Sequence, residues 1–133
     1  MDATQRKNKI RQAFDAFGQG DSVPLMELYD DNVIWTIIGS TKFSGTYNGM
    51  QEVIDRLLGP IGALIDGHMD ITLDNLIAEG DFVVAQGQGK SRTVAGGTYN
   101  NVYCWVYHWQ NEKVIAVTEY LDTEKITESF GSS

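Results

Sequence analysis

The sequence is short of several things, and each shortage excludes something. It has one cysteine, Cys104, in 133 residues. No internal disulfide can form, and a Cys-rich zinc site is excluded. It has two histidines, His68 and His108, 40 positions apart. Neither has the i+2 or i+4 partner that metal sites in small domains usually show. Cations are scarce: 10 Lys and Arg face 18 Asp and Glu, for a formal charge of −8. That balance argues against a surface built for nucleic-acid phosphate or for anionic membranes. No run of apolar residues approaches the ~20 that a membrane-spanning helix needs. The first residues, Met1-Asp2-Ala3-Thr4-Gln5-Arg6-Lys7, lack the apolar core of a secretory signal. The expectation is therefore one cytoplasmic domain spanning 1–133. Its core covers about 6–123, with 124–133 as a C-terminal tail or short helix.

What is present is an ordinary globular composition, 42% hydrophobic and 11% aromatic. Ile10, Ala13, Phe14 and Phe17 recur at i, i+3, i+4 and i+7, which predicts a helix from about Thr4 to Phe17. Gly18-Gln19-Gly20 ends it. Asp21 or Ser22 caps a second short helix with Pro24 in its first turn. Its buried side is Leu25, Leu28 and Tyr29. The run Val33-Ile34-Trp35-Thr36-Ile37-Ile38 reads as a strand buried on both faces. Ser40 to Tyr47 reads as a polar loop. A third helix follows from about Gly49 to Leu58, with Val53, Ile54, Leu57 and Leu58 inward. Gly59-Pro60 breaks or kinks it, and Ile61 to Ile65 adds another turn. From Gly67 the period changes to two, and strands follow one another through turns at Glu79-Gly80-Asp81, Ala95-Gly96-Gly97-Thr98 and Asn111-Glu112-Lys113. Thr123 could cap a short last helix. Helices first and hairpin-linked strands after predict an α+β fold, with helices packed on one face of a curved antiparallel sheet.

Gly87-Gln88-Gly89-Lys90-Ser91 carries the end of a phosphate-binding loop, but Val84 stands where the first glycine belongs and no helix follows. Two glycines in a strand instead mark a bend or a close backbone approach. Cys104, mid-strand among aromatic residues, reads as a buried small hydrophobe, since no basic neighbour is at hand to make it a thiolate.

The richer constellation lies late in the chain. Tyr99, Asn101, Tyr103, Trp105, Tyr107 and Trp109 share one face of a strand, and Asn100, Val102, Cys104, Val106 and His108 the other. Both faces are largely apolar, so both are expected to be covered. In the last strand Ile115, Val117, Glu119 and Leu121 share a face. Glu119 is thus a carboxylate on an apolar stripe. Burial raises a carboxyl pKa unless the group is paired, which makes Glu119 a candidate acid/base. Pairing with Arg92 or Lys113, or solvation at a sheet edge, explains the same residue equally well.

Three segments carry a resemblance: Trp35 to Ser40 with Ser44 to Gly49, Tyr99 to Trp105, and Lys113 to Ile115 with Thr118 to Thr123. With the N-terminal helix pair they resemble a SnoaL-like protein of the nuclear-transport-factor-2-like, or ketosteroid-isomerase-like, superfamily, over about residues 6 to 123. The resemblance implies a cystatin-like α+β barrel, a cone of curved sheet around helices with an apolar pocket. It also implies a homodimer through the outer sheet face and, for most members, no metal or cofactor. In the family's epoxide hydrolases a carboxylate in the last strand activates water, and Val117-Thr118-Glu119-Tyr120-Leu121-Asp122 matches that run at Glu119. The Arg-x-Asp pair of those enzymes has no counterpart in Ala85-Gln86-Gly87-Gln88-Gly89. The acid of the steroid isomerases is missing around Trp35, Thr36 and Ile37. The single carboxylate of the polyketide cyclases is what remains.

Two readings of function follow. In the first, an enzyme acts on a small apolar carbonyl-type molecule by isomerase, cyclase or dehydratase-like chemistry. Glu119 moves a proton while Asn101 and Tyr103 hold the developing oxyanion. Trp35, Ile37 and Trp105 line the pocket, and Gln86 or Gln88 adds a polar contact. In the second, the chain is a non-catalytic module that binds a small molecule or dimerises. A collapsed pocket filled by aromatic side chains is the weaker third.

Overall fold

The computed structural model describes all residues 1–133. Helix α1 (Ala3–Gly18) begins with a reciprocal cap. The Gln5 N–H donates to Asp2 Oδ1 at 2.8 Å, and the Asp2 N–H donates to Gln5 Oε1 at 2.9 Å. This satisfies donors that a helix start otherwise leaves free. Ile10, Ala13 and Phe14 are buried along its inner stripe, and Phe17 is half-buried. Helix α2 (Val23–Met26) follows with Pro24 in its first turn. Its opening is held by Asp21, whose Oδ1 accepts from the Val23 N–H at 3.1 Å; Ser22 makes no side-chain cap bond.

Six strands form one sheet in the order β2-β1-β6-β5-β4-β3. They are β1 (Tyr29–Ile37), β2 (Gly45–Asn48), β3 (Ile65–Glu79), β4 (Phe82–Thr93), β5 (Thr98–Gln110) and β6 (Lys113–Leu121). The fold is α+β, a curved sheet around N-terminal helices that does not close into a barrel. Strands β3 to β6 run as successive hairpins. The last of them returns beside β1, and that one pair is parallel. The parallel pair brings the late carboxylate-bearing strand against the early Trp35 strand, with Ile37 opposite Glu119.

Several local expectations change. Strand β1 is buried on one face only: Trp35 and Ile37 are inside, while Ile34 is 47% exposed. Its β-branched run reflects the pleat of a sheet packed on one side, where such residues fit both faces. The polar loop contains β2, which pairs Tyr47 with Trp35 and Thr46 with Thr36. Four residues among polar neighbours show too little periodicity to announce a strand. The third helix is not broken at Gly59-Pro60. Helix α3 (Met50–Val53) runs into a π-helical turn at Ile54–Leu58 and on into α4 (Gly59–Leu64). Pro60 opens α4, where its missing N–H does least harm, and the ladder loosens to i+5 just before it. Within this segment Val53 and Leu57 are buried as expected, but Ile54 is 42% exposed. Helix α5 (Thr123–Phe130) closes the chain, capped by Asp122, whose carboxylate accepts from the Glu124 N–H.

The inner face of β5 carries Tyr99, Asn101, Tyr103, Trp105, Tyr107 and Trp109, all buried. Its outer face is not covered within one chain. Val102 is 61% exposed, and Cys104, Val106 and His108 are half-buried. Cys104 is thus a half-buried residue of the outer face. His108 stacks on Phe82 there, with centroids 4.5 Å apart, and His68 is exposed. Nowhere do three His, Cys, Asp or Glu side chains converge closely enough to hold a metal ion. Gly87 to Ser91 lies wholly within β4. No helix is long and apolar enough to cross a membrane.

Candidate functional site

The concave side of the sheet and the helices over it enclose a cavity of about 130 Å³. Every element except β2, α3 and β4 contributes to its wall: Phe14 and Phe17 from α1, Leu25 and Met26 from α2, Ile126 and Phe130 from α5, and aromatic side chains from β1 and β5. The wall exists because β1, β5 and β6 each present alternate residues inward, and those residues are large and apolar. Tyr103 and Trp105 stack with centroids 4.8 Å apart, and Phe14 lies against Trp105 at 5.2 Å. Tyr29 packs on Trp35 at 4.9 Å.

One residue of the wall is neither apolar nor aromatic. Glu119 reaches into the cavity from β6. The Trp35 indole Nε1–H donates to its Oε1 at 3.2 Å. The Trp105 indole, from the paired position on β5, also favours the ionised carboxylate, and Glu119 keeps some accessible surface while lining the cavity. Neither Arg92 nor Lys113 pairs with it: Lys113 Nζ bonds the Glu27 carbonyl, and the three ion pairs of the structure lie elsewhere. Removal from water in this apolar wall pushes the Glu119 carboxyl up to about 7, and the indole N–H groups of Trp105 and Trp35 only partly oppose the rise. Burial also holds Tyr29, Tyr103 and Tyr107 well above the ordinary tyrosine value, so each stands as a neutral phenol.

The structure gathers Trp35, Ile37, Tyr103, Trp105 and Glu119 around one space. It does not bring Asn101, Gln86 or Gln88 there. Asn101 is buried but fully engaged. Its Oδ1 accepts from the N–H groups of Val102 and Asp122, at 2.8 and 3.0 Å. Its Nδ2 donates to the Tyr99 hydroxyl at 2.8 Å and to the Asp122 carbonyl at 3.1 Å. It ties β5 to the start of α5 and touches the cavity only through Tyr99, whose hydroxyl in turn accepts from Tyr103 at 3.4 Å. Gln86 lies on the exposed face of β4, where its Oε1 accepts from Asn75. Gln88 is exposed in a separate polar groove with Lys90, Asn100 and Lys125. A strand's period of two explains both, since the glycines between them and Ala85 take the inner positions.

The cavity also holds residues that the sequence did not single out, chiefly Phe14, Tyr29, Tyr107 and Phe130. Tyr107 had a usable signal, the shared face with Tyr103 and Trp105. Phe14 follows the helical stripe, which reads as plain core. Phe130 had none, because only the fold carries the last helix back over Phe43 and Tyr99, at 6.1 and 4.8 Å between rings.

Residues 10–117 match the SnoaL-like domain family. The chain belongs to that family. Its fold is similar to that of a Burkholderia pseudomallei protein described as NTF2-like, with a TM-score of 0.81 at 20% identity over 97% of this chain and 98% of the other. An uncharacterised protein of Mycobacterium tuberculosis is 24% identical over 121 residues, 91% of this chain and 92% of its own length. Bal32a, from a soil-derived mobile gene cassette, superposes with a TM-score of 0.82 at 24% identity, over 96% of this chain and 98% of its own. TerC, crystallised with polyporic acid, superposes at 0.75 with 21% identity, over 92% of this chain and 95% of its own. These structural likenesses establish the SnoaL-like fold and leave the chemistry to this chain's own site.

Proposed function

We infer that this SnoaL-like protein is a cofactor-independent acid/base enzyme acting on a small, mostly apolar carbonyl-type molecule. The observation that carries this is Glu119, the lone carboxyl group in an aromatic cavity, with a pKa raised to about 7. A base whose pKa sits near the working pH is both available and strong enough to take a proton. The steps are those of an enolisation. Glu119 Oε2 takes a proton from the carbon beside the carbonyl, and the electron pair moves to the carbonyl oxygen. The proton then returns from the Glu119 carboxyl to another atom of the substrate, as an isomerase or cyclase requires. Oxyanion support falls to Tyr99, whose hydroxyl accepts from both Asn101 and Tyr103 and so keeps its own proton to donate, rather than to Asn101, which positions it.

A cavity of about 130 Å³ limits the ligand. An apolar cavity of roughly 150 Å³ accommodates benzene, so a molecule of one ring is the scale here. TerC, of similar fold, was co-crystallised with polyporic acid, which supports a ligand-binding reading. Homodimerisation through the outer face belongs to the same reading, with exposed Ile34, Val102 and Tyr120 as the apolar surface to be covered.

The test is α-proton exchange of cyclohexanone and similar ketones in D₂O, followed by NMR, for the wild type and Glu119→Gln. Exchange in the wild type alone supports the enzyme. A second reading is favoured by the engagement of Asn101 elsewhere: a binding module without turnover. It predicts equal ketone binding by both proteins and exchange by neither.

A further inference from the structure

The cavity's electrostatics are one-sided. Glu119 is its only charged group, and no Lys, Arg or His reaches its wall. The other titratable groups facing it are phenols: Tyr29 from β1, and Tyr99, Tyr103 and Tyr107 from β5. The elements α1, α2, α4, β3 and α5 contribute only apolar side chains to it. Glu119 Oε1 accepts from Trp35, the Trp105 indole N–H also favours the ionised carboxylate, and no charged donor meets either oxygen. An ionised carboxylate in apolar surroundings is costly without a counter-charge, and this protein supplies none. An aromatic ring attracts a cation over its face and offers an anion no charge there.

We propose that the preferred ligand of this cavity is a compact organic ammonium ion of about one ring's size, its N–H donating to Glu119 Oε2 while its hydrocarbon body fills the aromatic wall. This rests on the cavity being a ligand site, and because the ion occupies the oxygen that acts as base, it competes with a carbonyl substrate for the cavity. Carboxylates and phosphates are rejected, because they would meet Glu119 and ring faces with no compensating donor charge. The excess of negative charge over the whole chain, −8, acts in the same direction by drawing cations toward the surface. Binding also fixes Glu119 as the anion, so protons leave the protein when the ammonium ion enters at or below neutral pH.

The test compares cyclohexylammonium chloride with cyclohexanol, which match in size and differ in charge, and with cyclohexanecarboxylate. Isothermal titration calorimetry near pH 8 is expected to show the ammonium ion binding the wild type about tenfold or more tightly than the alcohol, and the carboxylate not at all. Glu119→Gln is expected to erase the preference while the alcohol still binds. A second readout needs no variant: near pH 6 the heat of ammonium binding to the wild type should change with the ionisation enthalpy of the buffer, reporting proton release. Equal or tighter binding of the alcohol to the wild type, or an ammonium preference that survives in Glu119→Gln, overturns the proposal. If that happens while ketone exchange by the wild type persists, only the cation preference falls. If none of the probes binds and no ketone exchanges, the reading of the cavity as a site falls with it.

Discussion

The Trp35 indole donates to Glu119 Oε1 at 3.2 Å across the parallel β1–β6 pair. This contact joins residues 84 positions apart. It aims one carboxylate oxygen at the protein and leaves the other for the cavity. It also stabilises the ionised form, against the larger effect of burial.

Removing that donor should therefore raise the Glu119 pKa further. Trp35→Phe keeps an aromatic ring, a smaller one, and deletes the N–H. The Glu119 carboxyl, followed by ¹³C NMR titration, is expected to move upward from about 7. A downward movement would mean that Trp35 does not stabilise the carboxylate. The lost hydrogen bond to a charged group should also cost about 1.5–3 kcal/mol of stability above neutral pH.

Glu119 itself should make the fold pH-sensitive. Its folded value lies above the ordinary carboxyl value of 4.5, so the native chain holds the proton more tightly than the unfolded chain. The stability this brings is complete below the unfolded-state value and is lost as pH rises through about 7. Glu119→Gln carries no charge to bury. Denaturant unfolding should find it more stable than the wild type by up to about 3 kcal/mol near pH 8, and nearly equal near pH 4.

Asn101→Ala separates support from chemistry. It leaves the Asp122 N–H without its partner and unties Tyr99 from the start of α5. A loss of about 2–4 kcal/mol in unfolding free energy is expected. Affinity for cyclohexanol should change less than about threefold, because Asn101 is not part of the cavity wall. A large loss of affinity at unchanged stability would assign Asn101 to the ligand instead.

The glycines of β4 have a local reason. A Cβ at Gly87 would lie 2.5 Å from the Thr72 carbonyl oxygen, beside the register shift between Leu73 and Asn75. One at Gly89 would lie 3.0 Å from the Tyr103 ring. Gly87→Ala should therefore destabilise by about 1–3 kcal/mol, since backbone must shift to admit it. Thermal unfolding reads this directly.

Much of this was legible in the residues. The stripe of α1, the alternation of β5 and the lone acid among Val117 and Leu121 each follow from a period that side-chain burial imposes. The close backbone approach at Gly87 follows from glycine's missing Cβ. Asn101 shows where such reasoning stops. Its inner-face position is correct, but whether an inward amide meets a ligand or a neighbouring backbone depends on where α5 lies. Gln86 and Gln88 failed for a simpler reason, as they occupy the outer half of an alternation whose inner half is Ala85, Gly87 and Gly89. The parallel β1–β6 pair and Phe130's place in the wall are set by long-range topology, which no local pattern carries.

The central claim is that Glu119 works as a base near neutral pH inside an apolar cavity. The most direct measurement is the rate of cyclohexanone α-proton exchange against pH, for the wild type and Glu119→Gln together. The account predicts a wild-type rate that rises with pH to a plateau, with a midpoint near 7, and no such rise in Glu119→Gln. Identical profiles for the two proteins would contradict it.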